Sequence, residues 1–277
     1  MTAPDQASTR RGTRGRMPAI FVGHGAPLLA VDAEKGAPLV DWGREISREF
    51  GKPRAVLSIS AHWTTRGDVL ALGPLQRREL IYDFSGFPEE LYRVRYPAPG
   101  GDLIARDVAA SLAKLDGVSL METERGLDHG TWTPLVHLWP QADVPILQLS
   151  LPMTWSGRRW FDLGRALAPL RDAGVVIMCS GNVTHNLGKV DWRPNAGVPQ
   201  WAAEFDRWVE ESLNGFRADE LMNYKIHAPA LATNHPTEEH WAPLIVAAGA
   251  AGESPKVSYP VSGWEFGSLS RRSVQFV

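Results

Sequence analysis

Short runs of consecutive apolar residues alternate along the chain with longer stretches whose apolar residues recur every three or four positions. Strands that are buried on both faces of a sheet are apolar at nearly every residue, which predicts strands at Ala19 to Val22, Ala55 to Ser60, Ile146 to Leu151 and Val175 to Ser180. The helical spacing predicts amphipathic helices at Leu39 to Phe50, Asp102 to Leu115, Arg158 to Ala173 and Val198 to Asn214. This alternation indicates an α/β fold, a single domain with a mainly parallel central sheet flanked by helices.

The two ends of the chain differ from this pattern. Residues 1–16 are polar and basic without a hydrophobic segment, which predicts a flexible N-terminal extension ahead of one domain over residues 17–277. Near the other end, Thr237 is suited to cap a last helix that runs to about Ala248 and holds His240 in its first turn. Residues Ser268 to Val277 predict one more strand.

Composition narrows the class of protein. The 277 residues are 44% hydrophobic, which is enough for one large core. The formal net charge is −2, and because residues 1–16 contribute four arginines, the rest of the chain is more acidic still. Nucleic acid is therefore not an expected partner. Cys179 is the single cysteine, which excludes an intrachain disulfide and fits a cytoplasmic location; within a predicted buried strand it is interpreted as a packing residue. Because no run approaches the roughly 18 apolar residues of a membrane helix, we expect no membrane span.

Standard catalytic signatures are missing from the sequence. It contains no G-x-S-x-G elbow, no G-x-x-x-x-G-K-[ST] loop and no G-x-G-x-x-G fingerprint. Serine hydrolases of that type, P-loop enzymes and typical dinucleotide enzymes are therefore disfavoured.

Four histidines, by contrast, lie just beyond apolar runs that end in small residues: His24 in FVGHG, His62 in LSISAHW, His185 in CSGNVTHN and His240 in HPTEEHW. Because the carboxyl ends of parallel strands meet at one edge of a sheet, ligands far apart in sequence can converge there. Neutral imidazoles with open positions are typical of a catalytic metal site, which we place at the C-terminal ends of the strands. Glu238 or Glu239 could replace His240 as a ligand.

The other four histidines receive different interpretations. His129 is predicted in a loop, where the adjacent Asp128 could orient it as an acid or base. Asn186 could likewise support His185. His137, His227 and His235 have no comparable context and are interpreted as structural, with His235 close enough to His240 to be held in reserve.

Seven segments together resemble a known family. They are Met17 to Pro27, Ser60 to Trp63, Tyr82 to Pro88 (YDFSGFP), Tyr96 to Gly100 (YPAPG), Asp128 to Gly130, Ser180 to Asn186 (SGNVTHN) and Pro236 to His240 (PTEEH). In this order they resemble the class III extradiol ring-opening dioxygenases, specifically the DOPA-dioxygenase-like subgroup.

The resemblance implies a non-haem Fe(II) oxidoreductase that inserts both atoms of O2 into a catechol beside its two hydroxyls and yields a semialdehyde. By position, His24, His62 and His240 match its metal ligands. His185 matches a histidine described either as a further metal ligand or as the acid or base beside the metal, and His129 matches a second active-site histidine near the substrate. The implied partners are a small-molecule catechol and O2.

One feature of the site keeps alternatives open. The common ferrous triad has two histidines and a carboxylate, whereas an all-histidine site also suits Zn(II), which has no accessible redox change. A zinc-dependent hydrolase or lyase that uses His185 or His129 as base is one alternative. A non-catalytic metal- or phenol-binding protein on the same scaffold is another.

Candidate substrate contacts come from an aromatic-rich region. The loop from Tyr82 to Pro88 and the segment from Tyr92 to Tyr96 could cover the pocket. Arg93 or Arg95 could hold a substrate carboxylate, the alternative being that both are solvated. Three tryptophans are candidates to line the ring site: Trp63, Trp132 and Trp155.

Overall fold

The computed structural model describes residues 15–193 and 196–277. Ten strands are present in this part of the chain: β1 Ala19–Gly23, β2 Ala55–Thr65, β3 Val69–Gly73, β4 Ser119–Glu122, β5 Ile146–Pro152, β6 Val175–Gly181, β7 Val257–Val261, β8 Trp264–Glu265, β9 Leu269–Ser270 and β10 Ser273–Phe276. The α-helices are α1 Ala33–Phe50, α2 Glu89–Tyr92, α3 Asp102–Leu112, α4 His129–Leu138, α5 Gly157–Leu167, α6 Gln200–Asn214, α7 Ala218–Met222, α8 Tyr224–His227, α9 Leu231–Asn234 and α10 Ala242–Ala251.

Eight strands form the central sheet in the order β4-β3-β5-β2-β6-β1-β10-β7. The inner pairs β5–β2, β2–β6 and β6–β1 are parallel. Towards the edges, β3 runs antiparallel to β5, and β10 runs antiparallel to β1 and β7. The predicted α/β domain with a mainly parallel sheet is therefore confirmed.

Alternate residues of the inner strands enter two separate cores. Phe21, Leu57 and Ile177 pack on the face covered by α3, α5, α6 and α10. Ile20 and Val56 face the opposite core, to which α1 and α4 contribute. Burial on both faces explains why these strands read as continuous apolar runs.

Several predicted boundaries are wrong where proline intervenes. The last helix begins at Ala242 rather than Thr237 and carries Pro243 in its first turn. Proline lacks the N–H that a helix interior needs, so a helix starting at Thr237 would have lost a hydrogen bond there. His240 therefore lies in the turn before α10. The predicted helix to Ala173 likewise ends at Leu167 and continues as a short 3-10 turn that contains Pro169.

Two further differences concern His129 and the C-terminal strand. His129 is the first residue of α4 rather than a loop residue, because Asp128 caps the helix by accepting from the backbone N–H of Thr131. The predicted strand from Ser268 to Val277 is divided into β9 and β10. Residues 1–14 of the predicted extension lie outside the described residues, and Arg16 pairs with Asp172 at 3.5 Å.

No helix within residues 15–193 and 196–277 has both the length and the apolar character needed to cross a membrane.

Candidate metal centre

Three of the predicted ligands converge at the carboxyl edge of the parallel strands. The ring centroid of His24 lies 5.0 Å from that of His62 and 5.3 Å from that of His240. The rings of His62 and His240 are 4.9 Å apart. One nitrogen of each ring lies within 4.8 Å of the other two, so the three side chains can share one ion.

Local structure explains how each ring reaches this point. His24 follows β1 in a turn that uses the positive φ of Gly25 (61°), a conformation that glycine adopts without steric cost. His62 projects from β2 near its carboxyl end. His240 is placed by its backbone carbonyl, which accepts from the N–H of Asn182 just after β6.

An oxygen atom faces the Nδ1 atom of each of the three rings. Nδ1 of His24 lies 2.9 Å from Oγ of Ser180. Because that hydroxyl donates its only hydrogen to the carbonyl of Gly130, it must accept from His24, which fixes the proton of this ring on Nδ1. Nδ1 of His240 lies 3.2 Å from Oε1 of Glu239. Nδ1 of His62 lies 3.5 Å from Oδ2 of Asp83.

The Nε2 atoms are consequently turned towards one another. Those of His24 and His62 are 3.2 Å apart, and Nε2 of His240 is buried without a hydrogen-bond partner among the described residues. Two nitrogens held about 2.1 Å from one tetrahedral metal ion lie about 3.4 Å apart. The spacing and the unpartnered nitrogen therefore fit a metal ion bound by three imidazoles.

Burial keeps these rings neutral, as metal ligands must be. Desolvation, reinforced by the neighbouring histidines, holds the pKa of His24 well below its ordinary value, and the same causes act on the pKa of His240. Desolvation also lowers the pKa of His62, and His129 lowers it further. The structure thus presents lone pairs rather than cations.

His129 lies beside this set and is oriented by a residue that the sequence did not indicate. Its ring is 3.9 Å from that of His62. Asp83, not Asp128, accepts from it: Oδ1 of Asp83 lies 2.8 Å from Nδ1 and 3.1 Å from the backbone nitrogen of His129. Burial alone would raise the pKa of Asp83, but these contacts lower it to about 2.

The predicted partner, Asp128, is committed elsewhere. Its carboxylate accepts from Oγ of Ser60 at 2.7 Å and from Nε2 of Gln148 at 2.8 Å, as well as capping α4. The prediction that Asp128 orients His129 is therefore wrong. A residue adjacent in sequence at a helix N-terminus turns its side chain to the backbone of the next turn, away from its neighbour's ring.

His185 occupies a different side of the cluster. Its ring stacks on that of His240 at 3.5 Å with an interplanar angle of 7°. It groups with Glu239 and His240 rather than with His24 and His62, and desolvation lowers its pKa to about 4.

The side chain of Asn186 does not support this ring. Its amide donates to the carbonyl of Thr233, and its oxygen accepts from Gly188. Glu238, the other alternative ligand, pairs with Lys225 at 2.9 Å.

Aromatic rings from the predicted covering loop lie against His129. The ring of Phe84 is 5.6 Å from that of His129 and contacts Phe87 and Tyr92. Trp132 holds this loop by donating to the carbonyl of Ile81. The loop from Tyr82 to Pro88 thus lies beside the histidine cluster.

The two candidate arginines have other partners. Arg93 pairs with Glu89 at the surface, and Arg95 donates to Oη of Tyr82. Of the remaining tryptophans, Trp155 donates to Asp68 and stacks under Arg159, a setting built from α5 and the loop after β2.

The remaining histidines and the cysteine lie outside the groups of residues that could hold a metal ion. His137 bonds to the carbonyl of Leu29 and His235 to that of Val183, whereas His227 is exposed. Cys179 is buried in β6, and burial raises its pKa, so it is not a thiolate nucleophile.

Comparison with known proteins identifies the family. Residues 18–277 match the model described as the catalytic LigB subunit of aromatic ring-opening dioxygenase. The chain belongs to this family. It is 40% identical over 260 residues to the 4,5-DOPA dioxygenase extradiol of Beta vulgaris. The aligned region covers 92% of this chain and 95% of that protein.

A relative and a solved structure, both from Escherichia coli K12, are also similar to the chain. The relative is a 4,5-DOPA dioxygenase extradiol, 38% identical over 263 residues, with 94% of each chain covered. The crystal structure of an uncharacterized protein matches with a TM-score of 0.77 at 34% identity, covering 94% of this chain and 99% of that chain.

These findings confirm the resemblance inferred from the motifs. The chain is a member of a non-haem, metal-dependent family of aromatic ring-opening dioxygenases, which are oxidoreductases. The match of residues 18–277 covers the region in which all five clustered histidines lie.

Proposed function

We propose that this protein is an Fe(II)-dependent extradiol dioxygenase that opens the ring of a catechol, DOPA or a similarly substituted one, with O2 to give a semialdehyde. His24, His62 and His240 would hold the metal. The observation that carries the proposal is the convergence of their Nε2 atoms while each Nδ1 faces an oxygen. Two relatives named 4,5-DOPA dioxygenase extradiol support the substrate class.

Ferrous iron bound by three imidazoles would keep positions open for both catechol and O2. It would also supply the redox step between them, which zinc, having no accessible redox change, cannot supply. Around it, the residues of the chain position the substrate and move its protons. The aromatic loop next to His129 shields the ring from water, and proximity to the oxidant lowers the barrier.

His129 and His185 are the proposed acid and base groups. With its Nδ1 hydrogen donated to Asp83, His129 has a lone pair on Nε2 that can accept the proton of a catechol hydroxyl and return it later. His185 is stacked on His240 and grouped with Glu239, which favours an acid or base role over that of a fourth ligand. The reaction's small, diffusible substrates fit an enzyme of the cytoplasm.

The test is oxygen uptake by protein loaded with Fe(II) without air. A panel of catechols that includes DOPA is added, O2 is admitted, and uptake is recorded together with visible absorbance. We expect stoichiometric uptake and a yellow product, both lost in His24→Ala and His62→Ala and retained in His227→Ala, whose histidine is exposed on α8. Protein loaded with Zn(II) serves as the redox-inactive control.

Two results would contradict the proposal. If the iron-loaded protein takes up no oxygen with any catechol of the panel, ring opening of those substrates is ruled out. Turnover by the zinc form without O2 would favour the hydrolase or lyase.

A further inference from the structure

Asp83 faces two histidines of the centre at once, with a different carboxylate oxygen towards each. Its Oδ1 accepts from Nδ1 and from the backbone N–H of His129, at 2.8 and 3.1 Å. Its Oδ2 lies 3.5 Å from Nδ1 of His62. The two carboxylate oxygens are therefore divided between a proposed metal ligand and a proposed acid or base.

A carboxylate accepts hydrogen bonds and cannot donate them, so each Nδ1 atom that faces it is stabilised when it bears the hydrogen. For His129 the contact is a direct hydrogen bond. For His62 it is a longer electrostatic attraction at the limit of hydrogen-bond distance. In both rings a proton on Nδ1 leaves the lone pair on Nε2.

In this centre the Nε2 lone pairs would carry the function: that of His62 would bind the metal ion, and that of His129 would accept a substrate proton. Nε2 of His62 lies at hydrogen-bond distance, 3.2 Å, from Nε2 of His24, whose own proton is on Nδ1. In the metal-free protein the lone pair of His24 therefore competes with Asp83 for the proton of His62, and a proton on Nε2 of His62 would block a metal ion. The other tautomer of His129 would present a donor, rather than a base, on Nε2. One residue on the loop between β3 and α2 can therefore control both groups.

Neighbouring carboxylates do not duplicate this contact. Asp128 is bonded to Ser60 and Gln148. Glu239 accepts from Thr237 and His240. Helix α4 also holds Asp83 in place, because the carboxylate accepts from the first N–H of that helix, where negative charge is favoured.

We propose that Asp83 is a positioning residue that keeps the proton of both His129 and His62 on Nδ1, so that both rings present Nε2 to the centre. The contacts of Asp83 with His129 and His62 carry this proposal. The effect of the two tautomers on metal binding and on the substrate rests on the proposed function.

Asp83→Asn separates the two contacts because asparagine has almost the same shape. Its Oδ1 can still accept from both nitrogens of His129, while its NH2 group replaces the oxygen that faces His62. Two donors would then oppose each other at Nδ1 of His62, so we expect its proton to move to Nε2. His129 should keep its Nδ1 proton in this variant, whereas Asp83→Ala should release both rings.

The measurement is nitrogen NMR of the metal-free protein at pH 8, in which the shifts of the two ring nitrogens identify the tautomer of each histidine. The affinity for Zn(II) is measured in parallel by competition with a chelator. We expect Asp83→Asn to change the tautomer of His62 but not of His129 and to weaken Zn(II) binding roughly tenfold or more. The matched control is Glu89→Gln, which neutralises an exposed carboxylate near the same loop.

Wild-type tautomers together with wild-type Zn(II) affinity in both Asp83 variants would overturn the inference, as would equal changes in Glu89→Gln. Neither readout depends on catalysis. If the tautomers shift as expected but the protein consumes no catechol, the proposed reaction is rejected and the role of Asp83 remains supported. If the protein cleaves catechol but the Asp83 variants show no tautomer shift, the role of Asp83 is rejected and the proposed reaction remains supported.

Discussion

Ser180→Ala should weaken metal binding although Ser180 is not a ligand. Its hydroxyl is buried, accepts from Nδ1 of His24 at 2.9 Å and donates to the carbonyl of Gly130. Without this hydroxyl, Nδ1 of His24 has no acceptor for its proton, so the tautomer with the proton on Nε2 becomes more favourable. That proton must be removed before a metal ion can bind to Nε2. Loss of such a supporting contact typically costs roughly 10–100-fold in metal affinity, about 1.4–2.7 kcal/mol.

The same substitution leaves the carbonyl of Gly130 without its hydroxyl donor, so the metal-free protein should lose about 2 kcal/mol of stability. Ser58→Ala is the matched control, because Ser58 lies on the same face of β2 as His62, is equally buried and bonds only to Oγ1 of Thr131 at 2.8 Å.

The assay combines Zn(II) competition titration with urea unfolding of the metal-free proteins. Ser58→Ala should lose about 1 kcal/mol of stability and keep its affinity for Zn(II). Unchanged affinity in Ser180→Ala, or the same loss of affinity in both variants, would refute the tautomer argument for His24.

Three further predictions follow from close contacts and buried charge. Gly181→Ala would place a Cβ 2.3 Å from the carbonyl oxygen of His240, so Zn(II) affinity should fall by about tenfold or more; an unchanged titration would contradict this. Arg171→Met should lose about 3 kcal/mol or more in urea unfolding, because the buried guanidinium donates to four backbone carbonyls, whereas exposed Arg158→Met should change stability by less than about 0.5 kcal/mol. Burial lowers the pKa of His185 to about 4, so the unfolded chain binds a proton between pH 6.5 and 4 that the native chain does not. The unfolding free energy of the metal-free protein should therefore fall with decreasing pH in that window, by up to about 1.4 kcal/mol per unit for this group, and His185→Gln should have a shallower slope.

The parallel core of the sheet could be predicted because its strands are buried on both faces. Runs such as Ile146 to Leu151 and Val175 to Ser180 have no polar face to confuse the pattern. The edge strand β4, Ser119–Glu122, gives no such signal, because it is largely exposed and only its two middle residues are apolar. The short helices α7, α8 and α9 are too brief to show a helical period.

The positions of the metal-binding candidates could also be predicted, because strand exits are visible in the sequence and the fold brings them to one edge. His24 and His62 needed only that argument. His240 reaches the edge from a turn before α10, and its position depends on a backbone contact with Asn182. No spacing within the chain encodes that contact.

The partners of the imidazole rings are a different matter, because a hydrogen bond to Nδ1 can come from any element that passes within about 3 Å. Asp83 lies 46 residues before His129 along the chain, whereas Asp128 lies next to it and was the natural choice. Local sequence favoured Asp128, but the N-cap of α4 and the bond to Gln148 compete for that carboxylate. A carboxylate at the N-cap of a helix accepts from the backbone N–H groups of the first turn, and is then turned away from the neighbouring side chain. The partner of a histidine in that first turn should therefore be sought on a strand or loop that packs against the helix.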